Sequence, residues 1–329
     1  MKKINIKDVL PLKMPISILI DPSNRCNFKC HFCPTGDKEL LKEVGREEKI
    51  MNLELIQKIL KDLENWKIRL GGIIPNQIGF YKDGEPLLNK HLGYFIKEVT
   101  EKKLAKHTYL TTNAALLNEE KALMLIQSGL NTVRISVEHV DNDGYKKITQ
   151  TSTPYKRIVE NVGRLFKLKK ELNSSLHVHA KIVVTYLSND QKDKFKKDFE
   201  PITDSLGMDQ IMGWSDSEKN DFSLGQINHL EKKGSSKICV QPFSRMSICA
   251  NGDITICCVD WSHQLKYANA KFTSLEEAWN SEELRNVRLN HLNSKFENDS
   301  VCKNCDYFKN QSIEDNIDAV KNELLEIYS

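Results

Sequence analysis

Three cysteines stand together near the start of the chain, Cys26-x-x-x-Cys30-x-x-Cys33, and none follows for about two hundred residues. Six more come late, at Cys239, Cys249, Cys257, Cys258, Cys302 and Cys305. Three thiolates on one loop can hold three irons of a four-iron cluster and leave the fourth iron open to a small molecule. With His31 as a fourth donor the same loop could instead hold zinc, although structural zinc normally takes four ligands in CxxC-type pairs. In the second group, Cys239, Cys257, Cys302 and Cys305 are spaced by 18, 45 and 3 residues and end in CxxC. Four thiolates there would close an iron–sulfur cluster, suiting it to electron transfer, or would make a structural zinc site. Two cysteine sites on two modules is the simplest reading.

The elements that must position these thiols read as alternating strands and helices. Strand candidates are Ile16–Ile20, Gln77–Tyr81, His107–Thr111, Val133–Val137, His177–Thr185 and Gln210–Gly213. Between them Leu53, Ile56, Ile59, Leu60 and Leu63 repeat at helical spacing behind a cap at Asn52, and Leu92, Phe95, Ile96 and Val99 do the same. Six such units predict a parallel sheet with right-handed crossovers, curled into an open, partial (βα)6 barrel of the α/β class. Its site would lie over the C-terminal strand ends, and the first cysteine loop follows the first strand directly.

The texture then changes. Residues 1–215 read as the barrel, 216–236 as a polar linker or lid, and 237–329 as a small α+β module. In that module Asn251-Gly252-Asp253 marks a hairpin turn between Met246–Ala250 and Ile254–Cys258. Ser274-x-x-Glu277 is a capping box opening a helix through Trp279, Leu284, Val287 and Leu289. A last helix is expected over Ile313–Tyr328, and Asp37–Lys49 reads as a loop.

Composition bounds the function. Of 329 residues, 40% are apolar and 28% charged, which fits a folded globular chain of roughly two domains. A net charge of +3 carries no nucleic-acid footprint. No apolar run approaches about 18 residues, so no membrane partner is expected, and Asp8, Pro11 and Lys13 break any signal-peptide core. A cytoplasmic setting is therefore expected, with the cysteines as ligands or catalytic thiols rather than disulfides.

The CxxxCxΦC loop, with Phe32 as its aromatic, resembles the radical S-adenosylmethionine (SAM) superfamily. That resemblance implies a cluster on Cys26, Cys30 and Cys33 whose open iron chelates SAM, and a 5′-deoxyadenosyl radical that abstracts a substrate hydrogen atom. It implies SAM contacts at Asp83-Gly84-Glu85-Pro86, where Gly84, Glu85 and Pro86 match a Gly-Gly-Glu-type element and Asp83 replaces its first glycine. It also implies cofactor contacts at Asn113, Ser136 and Met212. The late cysteines resemble the twitch module, a shortened SPASM domain with one auxiliary four-iron cluster on Cys239, Cys257, Cys302 and Cys305. Only one of Cys257 and Cys258 should reach that cluster, since neighbouring strand residues face opposite ways.

The resemblance implies a dehydrogenase-like oxidoreductase acting on a polar small molecule such as a sugar or cyclitol, fed electrons by a flavodoxin or ferredoxin. Fifteen residues precede Ile16, too few for a peptide-recognition domain there. The alternatives are an epimerase of sugar or peptide with Cys258 donating a hydrogen atom, and a non-catalytic metal scaffold. An alcohol oxidation also needs a proton acceptor, for which Glu138, His139, Tyr81 and Asp83 all stand at expected strand ends. Trp214 could line the pocket or close the barrel.

Overall fold

The computed structural model describes residues 4–185, 187–209, 236–295, 300–303, 305 and 311–329. Six parallel strands form the barrel: β1 (Ser17–Ile20), β2 (Gln77–Phe80), β3 (Thr108–Thr112), β4 (Thr132–Val137), β5 (His177–Val183) and β6 (Ser205–Asp209). Three more extend the same sheet beyond β1: β7 (Arg245–Ile248), β8 (Asp253–Thr255) and β9 (Lys266–Asn269). Among the described residues the sheet order is β6-β5-β4-β3-β2-β1-β7-β8-β9.

The join is between β1 and β7. They pair in parallel with Ser17 opposite Arg245 and Ile20 opposite Ile248. β7, β8 and β9 then run antiparallel, as the Asn251-Gly252-Asp253 turn requires, with Gly252 at φ 94° supplying the left-handed corner. The late cysteine module is thus bonded to the strand that leads into the early cysteine loop.

Alternation along the strands sorts the two faces. Ile18, Ile20, Ile78, Phe80, Leu110, Val133, Ile135, Met246 and Ile248 pack under the helices in one core. The other face is the barrel interior, where Leu19, Gly79 and Tyr109 meet; a Cβ on Gly79 would strike the Tyr109 ring. β4 and β5 show the rule plainly: Arg134, Ser136, His179 and Lys181 are half-buried on the interior while their neighbours are fully covered.

The outer helices form where the apolar spacing placed them. Leu53–Arg69 is capped by Asn52, whose side chain accepts from the Leu55 amide, and it buries Leu55, Ile56, Ile59, Leu60, Leu63 and Trp66. Ser274 and Glu277 form the reciprocal capping box. A second cluster, Ile238, Val240, Phe243, Leu292, Ile317, Leu324 and Tyr328, holds the C-terminal segment.

Three expectations are corrected, and a fourth lies outside the described residues. The last barrel strand is Ser205–Asp209, because it must sit beside β5 from His179 to Val183; Gln210–Gly213 is outside the described residues. The segment 37–49 is not loop throughout: Asp37 caps a helix over Lys38–Glu43 by accepting from two amides. The capping-box helix ends at Trp279, and Ser281 caps a separate one over Glu282–Leu292. The final α-helix covers only Lys321–Tyr328, since Asp318 accepts from the amides of Lys237 and Ile238, holding the preceding residues as 3-10 turns.

Candidate functional site

The early cysteine loop is built against two neighbours. From one side, the Lys29 and His31 amides bond to the carbonyls of Thr149 and Ile148, at the end of the helix Asn142–Thr149. From the other, the strand end after β2 is pressed close: a Cβ on Gly84 would overlap the carbonyl oxygens of Ser23 and Arg25. The Glu85 amide donates to that Arg25 carbonyl at 2.8 Å. Gly84 therefore serves close approach of two backbones, and only the smallest residue fits there.

Glu85 is the hub of this contact. Its carboxylate accepts from the Leu87 amide (3.0 Å), the Thr112 hydroxyl (2.7 Å) and the Asn113 amide (2.9 Å), tying the ends of β2 and β3 together. Burial pushes its pKa up even so. Three bonds leave acceptor capacity for one further donor. Pro86 opens the 3-10 turn and holds Glu85 extended. Asn113 reaches back to the loop, with Nδ2 2.8 Å from Asn27 Oδ1 and 3.9 Å from Cys26 Sγ.

Cys26, Cys30 and Cys33 lie within electrostatic reach of one another. Burial raises all three thiols, Cys26 to about 12. Their ionisation thus depends on a cation, and a coordinated thiol is deprotonated outright. Three enclosed thiols on one loop, backed by few fixed charges, fit a four-iron cluster with one iron open. Phe32 packs its ring edge-on to His31, 5.4 Å between centroids.

Glu138 and His139 separate. Glu138 follows Ser136 on the interior-facing register of β4, and burial lifts it to about 7 against the pull of Lys181. His139 turns to the other face, over Gly144, where any Cβ would collide with its ring, and its Nδ1 sits 3.2 Å from Asp141. The structure brings Glu138 toward the cysteine loop and leaves His139 in the β4–helix packing. Met212 and Trp214 are outside the described residues.

In the second group, Cys239 lies within electrostatic reach of Cys305 and Cys258, and Cys257 within reach of Cys239. Burial raises Cys239 to about 12. Cys302 sits 3.8 Å from His291 Nε2, and the Cys305 amide bonds to the Cys302 carbonyl. Buried thiols converging from the hairpin and the CxxC turn again suit metal ligation. Cys258 accepts a hydrogen bond from Arg245 Nη1 at 3.1 Å. The Cys257 hydrogen bond and the Arg245 charge hold its thiol down, at about 5.

On the barrel interior Tyr81 and Tyr109 stand 5.5 Å apart, with the Arg134 guanidinium 4.1 Å over the Tyr109 ring. Arg245 carries no sequence signal, because only the β1–β7 pairing turns it inward. Lys82, Asp83, Asp260 and His263 are likewise not recognisable as a group in the sequence: they meet across about 180 residues of chain.

A sequence model of the radical SAM superfamily matches residues 20–190, and one of an iron–sulfur cluster-binding domain, SPASM, matches residues 239–306. The first covers just over half of the chain, which therefore belongs to the radical SAM superfamily. It carries a SPASM-type module, and its family cofactors are SAM and iron–sulfur clusters. Curated relatives include GTP 3′,8-cyclases of Clostridium perfringens strain 13, 28% identical over 168 residues, and of Aquifex aeolicus, 28% over 179. These alignments cover 50% and 52% of this chain and 45% and 49% of the relatives, so the chain spans about half the length of the curated relatives it matches.

Among solved structures, BtrN in complex with AdoMet and 2-DOIA aligns at TM-score 0.53 and 16% identity, covering 89% of this chain and 93% of that one. Streptococcus suis SuiB bound to S-adenosylmethionine aligns at 0.61 and 17%, covering 86% and 70%. Native anSMEcpe with bound AdoMet aligns at 0.58 and 16%, covering 95% and 96%. These likenesses establish the fold. Among the described residues no helix is long and apolar enough to cross a membrane.

Proposed function

We propose that this radical SAM enzyme is an oxidoreductase that converts an alcohol carbon of a polar small molecule, such as a sugar or cyclitol, to a ketone. The observation that carries the reading is the β1–β7 ladder, which fixes the early cysteine loop and the Cys257 hairpin on adjacent, directly bonded strands. Two metal-binding thiol groups held rigidly by one continuous sheet suit electron transfer better than two independent structural sites would. The barrel interior offers hydroxyl and guanidinium groups of Tyr81, Tyr109, Ser136, Arg134 and Arg245, donors that suit a hydroxyl-rich ligand.

Cys26, Cys30 and Cys33 would hold the cluster that, with SAM, would supply a radical able to remove a carbon-bound hydrogen atom, and Cys239, Cys257, Cys302 and Cys305 would hold an auxiliary cluster able to serve as electron acceptor. The chain does the rest. Glu85 and Asn113 brace the strand ends beside the loop, and Glu85 keeps capacity for the SAM ammonium. Glu138, poised near neutrality, accepts the hydroxyl proton. Loss of one hydrogen atom, one proton and one electron completes the two-electron oxidation.

BtrN is described with the small molecule 2-DOIA, whereas SuiB and anSMEcpe are described with peptides. The Cys258 contact argues against the epimerase alternative. Its sulfur accepts from a guanidinium, which favours the thiolate, the form with no hydrogen atom to give.

The test is anaerobic turnover with SAM, reductant and a panel of sugars and cyclitols. Ketone should form in equal amount to 5′-deoxyadenosine, and Cys257→Ser should still cleave SAM while losing the ketone. Solvent deuterium at an inverted carbon, abolished by Cys258→Ala, would establish the epimerase. Tight metal binding without SAM cleavage would establish a scaffold.

A further inference from the structure

At the rim where β1, β2 and β7 end, four side chains from distant parts of the chain meet. Asp21 follows β1, Asp83 follows β2, Cys249 follows β7, and His263 lies in the β8–β9 connection. Donor atoms of Asp83, Cys249 and His263 all lie within 4.8 Å of one another, and all three residues are buried. Asp21 adds a fully buried carboxylate in electrostatic contact with Cys249 and Asp83. The Asp83 amide is the one group placed to donate to it, no side chain does, and Asp83 Oδ1 has no hydrogen-bond partner at all. Buried polar atoms are almost always paired, so under-satisfied carboxylate oxygens beside a buried Asp–Cys–His cluster ask for a cation.

The charges agree. Asp21, Asp83 and Asp260 face two fixed cations, Lys82 and Arg46. Both cations are already engaged elsewhere. Lys82 Nζ bonds Asp83 Oδ2 (2.8 Å) and the Asp260 carbonyl (2.9 Å), and Arg46 bonds the Trp261 carbonyl (2.7 Å) and the Thr35 hydroxyl (3.2 Å). Asp260 is satisfied by Ser262 and the amides of Gln264 and Leu265. Without an ion, burial pushes Asp21 up to about 7; with Asp21 ionised one negative charge is left over, and with Cys249 as thiolate two, which one divalent ion balances.

We propose that Asp83, Cys249 and His263, with the Asp21 carboxylate beside them, form a site for a single zinc-like divalent ion on residues other than the cysteines of the two iron–sulfur positions. One thiolate, one imidazole and one carboxylate, with a second carboxylate in electrostatic contact, are a donor set of borderline softness, suited to zinc or ferrous iron rather than magnesium or calcium. His263 Nε2 now lies 2.6 Å from Asp83 Oδ2; ion binding breaks that contact and frees the Nε2 lone pair for the metal, and the Cys249 proton leaves to solvent. Lys82 stays on Asp83 Oδ2 and orients the carboxylate so that Oδ1 faces the ion. The site is closed, with the Lys82 and Asp83 side chains 0% and 1% exposed, so it holds rather than turns over. Asp83 belongs to the barrel and Cys249 and His263 to the SPASM module, which makes the ion a clasp between them.

The cluster-loaded protein is to be dialysed against zinc, desalted and assayed for zinc and iron per chain. Wild type should keep one zinc beyond its iron. His263→Gln and Cys249→Ser should each lose it, with affinity falling roughly tenfold or more and iron unchanged. Cobalt in place of zinc should show a thiolate charge-transfer band that Cys249→Ser removes and Cys257→Ser leaves. His263→Gln decides the matter if Cys249→Ser folds poorly. Zinc in wild type no higher than in His263→Gln, or a cobalt band that follows Cys257, overturns the proposal.

Discussion

Replacing Gly84 by alanine tests whether the contact between the β2 end and the cysteine loop is as tight as its geometry requires. The new methyl would overlap two main-chain carbonyl oxygens, of Ser23 and Arg25, neither of which can rotate away. Overpacking costs about 1–3 kcal/mol where neighbours can yield, and here the backbones must part. Parting them also breaks the Glu85 amide bond to Arg25, worth about 1 kcal/mol more. The sum is about 3 kcal/mol.

Gly93→Ala is the matched control. Its Cβ meets only the flexible Met124 side chain, in a helix that alanine favours, so its net effect should stay within about 1 kcal/mol. Urea denaturation of the metal-free proteins gives the two stabilities, and iron per chain after reconstitution reads the loop itself. Gly84→Ala should lose stability and bind less iron at the Cys26 loop, while Gly93→Ala does neither. A Gly84→Ala protein within about 0.5 kcal/mol of wild type, with full iron and SAM cleavage, would refute the close-approach argument.

Glu85→Gln places an NH2 group among three donors, so one of the Leu87, Thr112 or Asn113 groups loses its acceptor; a cost of about 1–3 kcal/mol by denaturation and weaker SAM binding by calorimetry are expected. Glu138, raised from 4.5 to about 7 in the fold, costs the metal-free protein nothing below the lower value, removes stability as pH climbs between the two, and removes no more above the upper one. Glu138→Gln should therefore flatten that pH dependence, by about 2 kcal/mol across the interval after allowance for screening, and should remove the alkaline rise in turnover. Arg288 is sandwiched between Trp279 (4.3 Å) and Tyr328 (5.2 Å) and bonds the Pro242 carbonyl. Arg288→Ala should cost about 2–4 kcal/mol and speed proteolysis of the Lys321–Tyr328 helix; unchanged cleavage would show that the sandwich contributes little.

The parts of this molecule that were legible in the sequence are those that depend on local chemistry. Asn52, Ser274 and Glu277 announce helix starts because capping is settled within three residues. The first five strands show as β-rich runs, and Asn251-Gly252-Asp253 shows as a turn, for the same reason. What escaped depends on partners far away. The sixth strand sits at Ser205–Asp209 because β5 offers its edge there, although Gln210–Gly213 is the more strand-like text. No local signal reveals that β7 lies beside β1. With that pairing unknown, nothing singles out Arg245, and Asp83 is one strand-end carboxylate among several. Glu138 and His139 are equal candidates on paper and part company only once β4 assigns them to opposite faces.

The pairing of β1 with β7 also sets an order of assembly. During synthesis, the strand at Ser17–Ile20 emerges first and acquires β2 within some sixty residues, but its other edge must wait for Arg245–Ile248. Until then a short, wholly apolar run, Ile18-Leu19-Ile20, borders an open row of amides and carbonyls, the kind of edge on which chains add to one another. The last contact to close is thus among the longest-range in the molecule, and such contacts are slow to form. Truncations ahead of Arg245 should yield protein that aggregates, whatever the quality of the barrel they preserve, and the early cysteines would then meet oxygen and one another before the sheet beside them is complete.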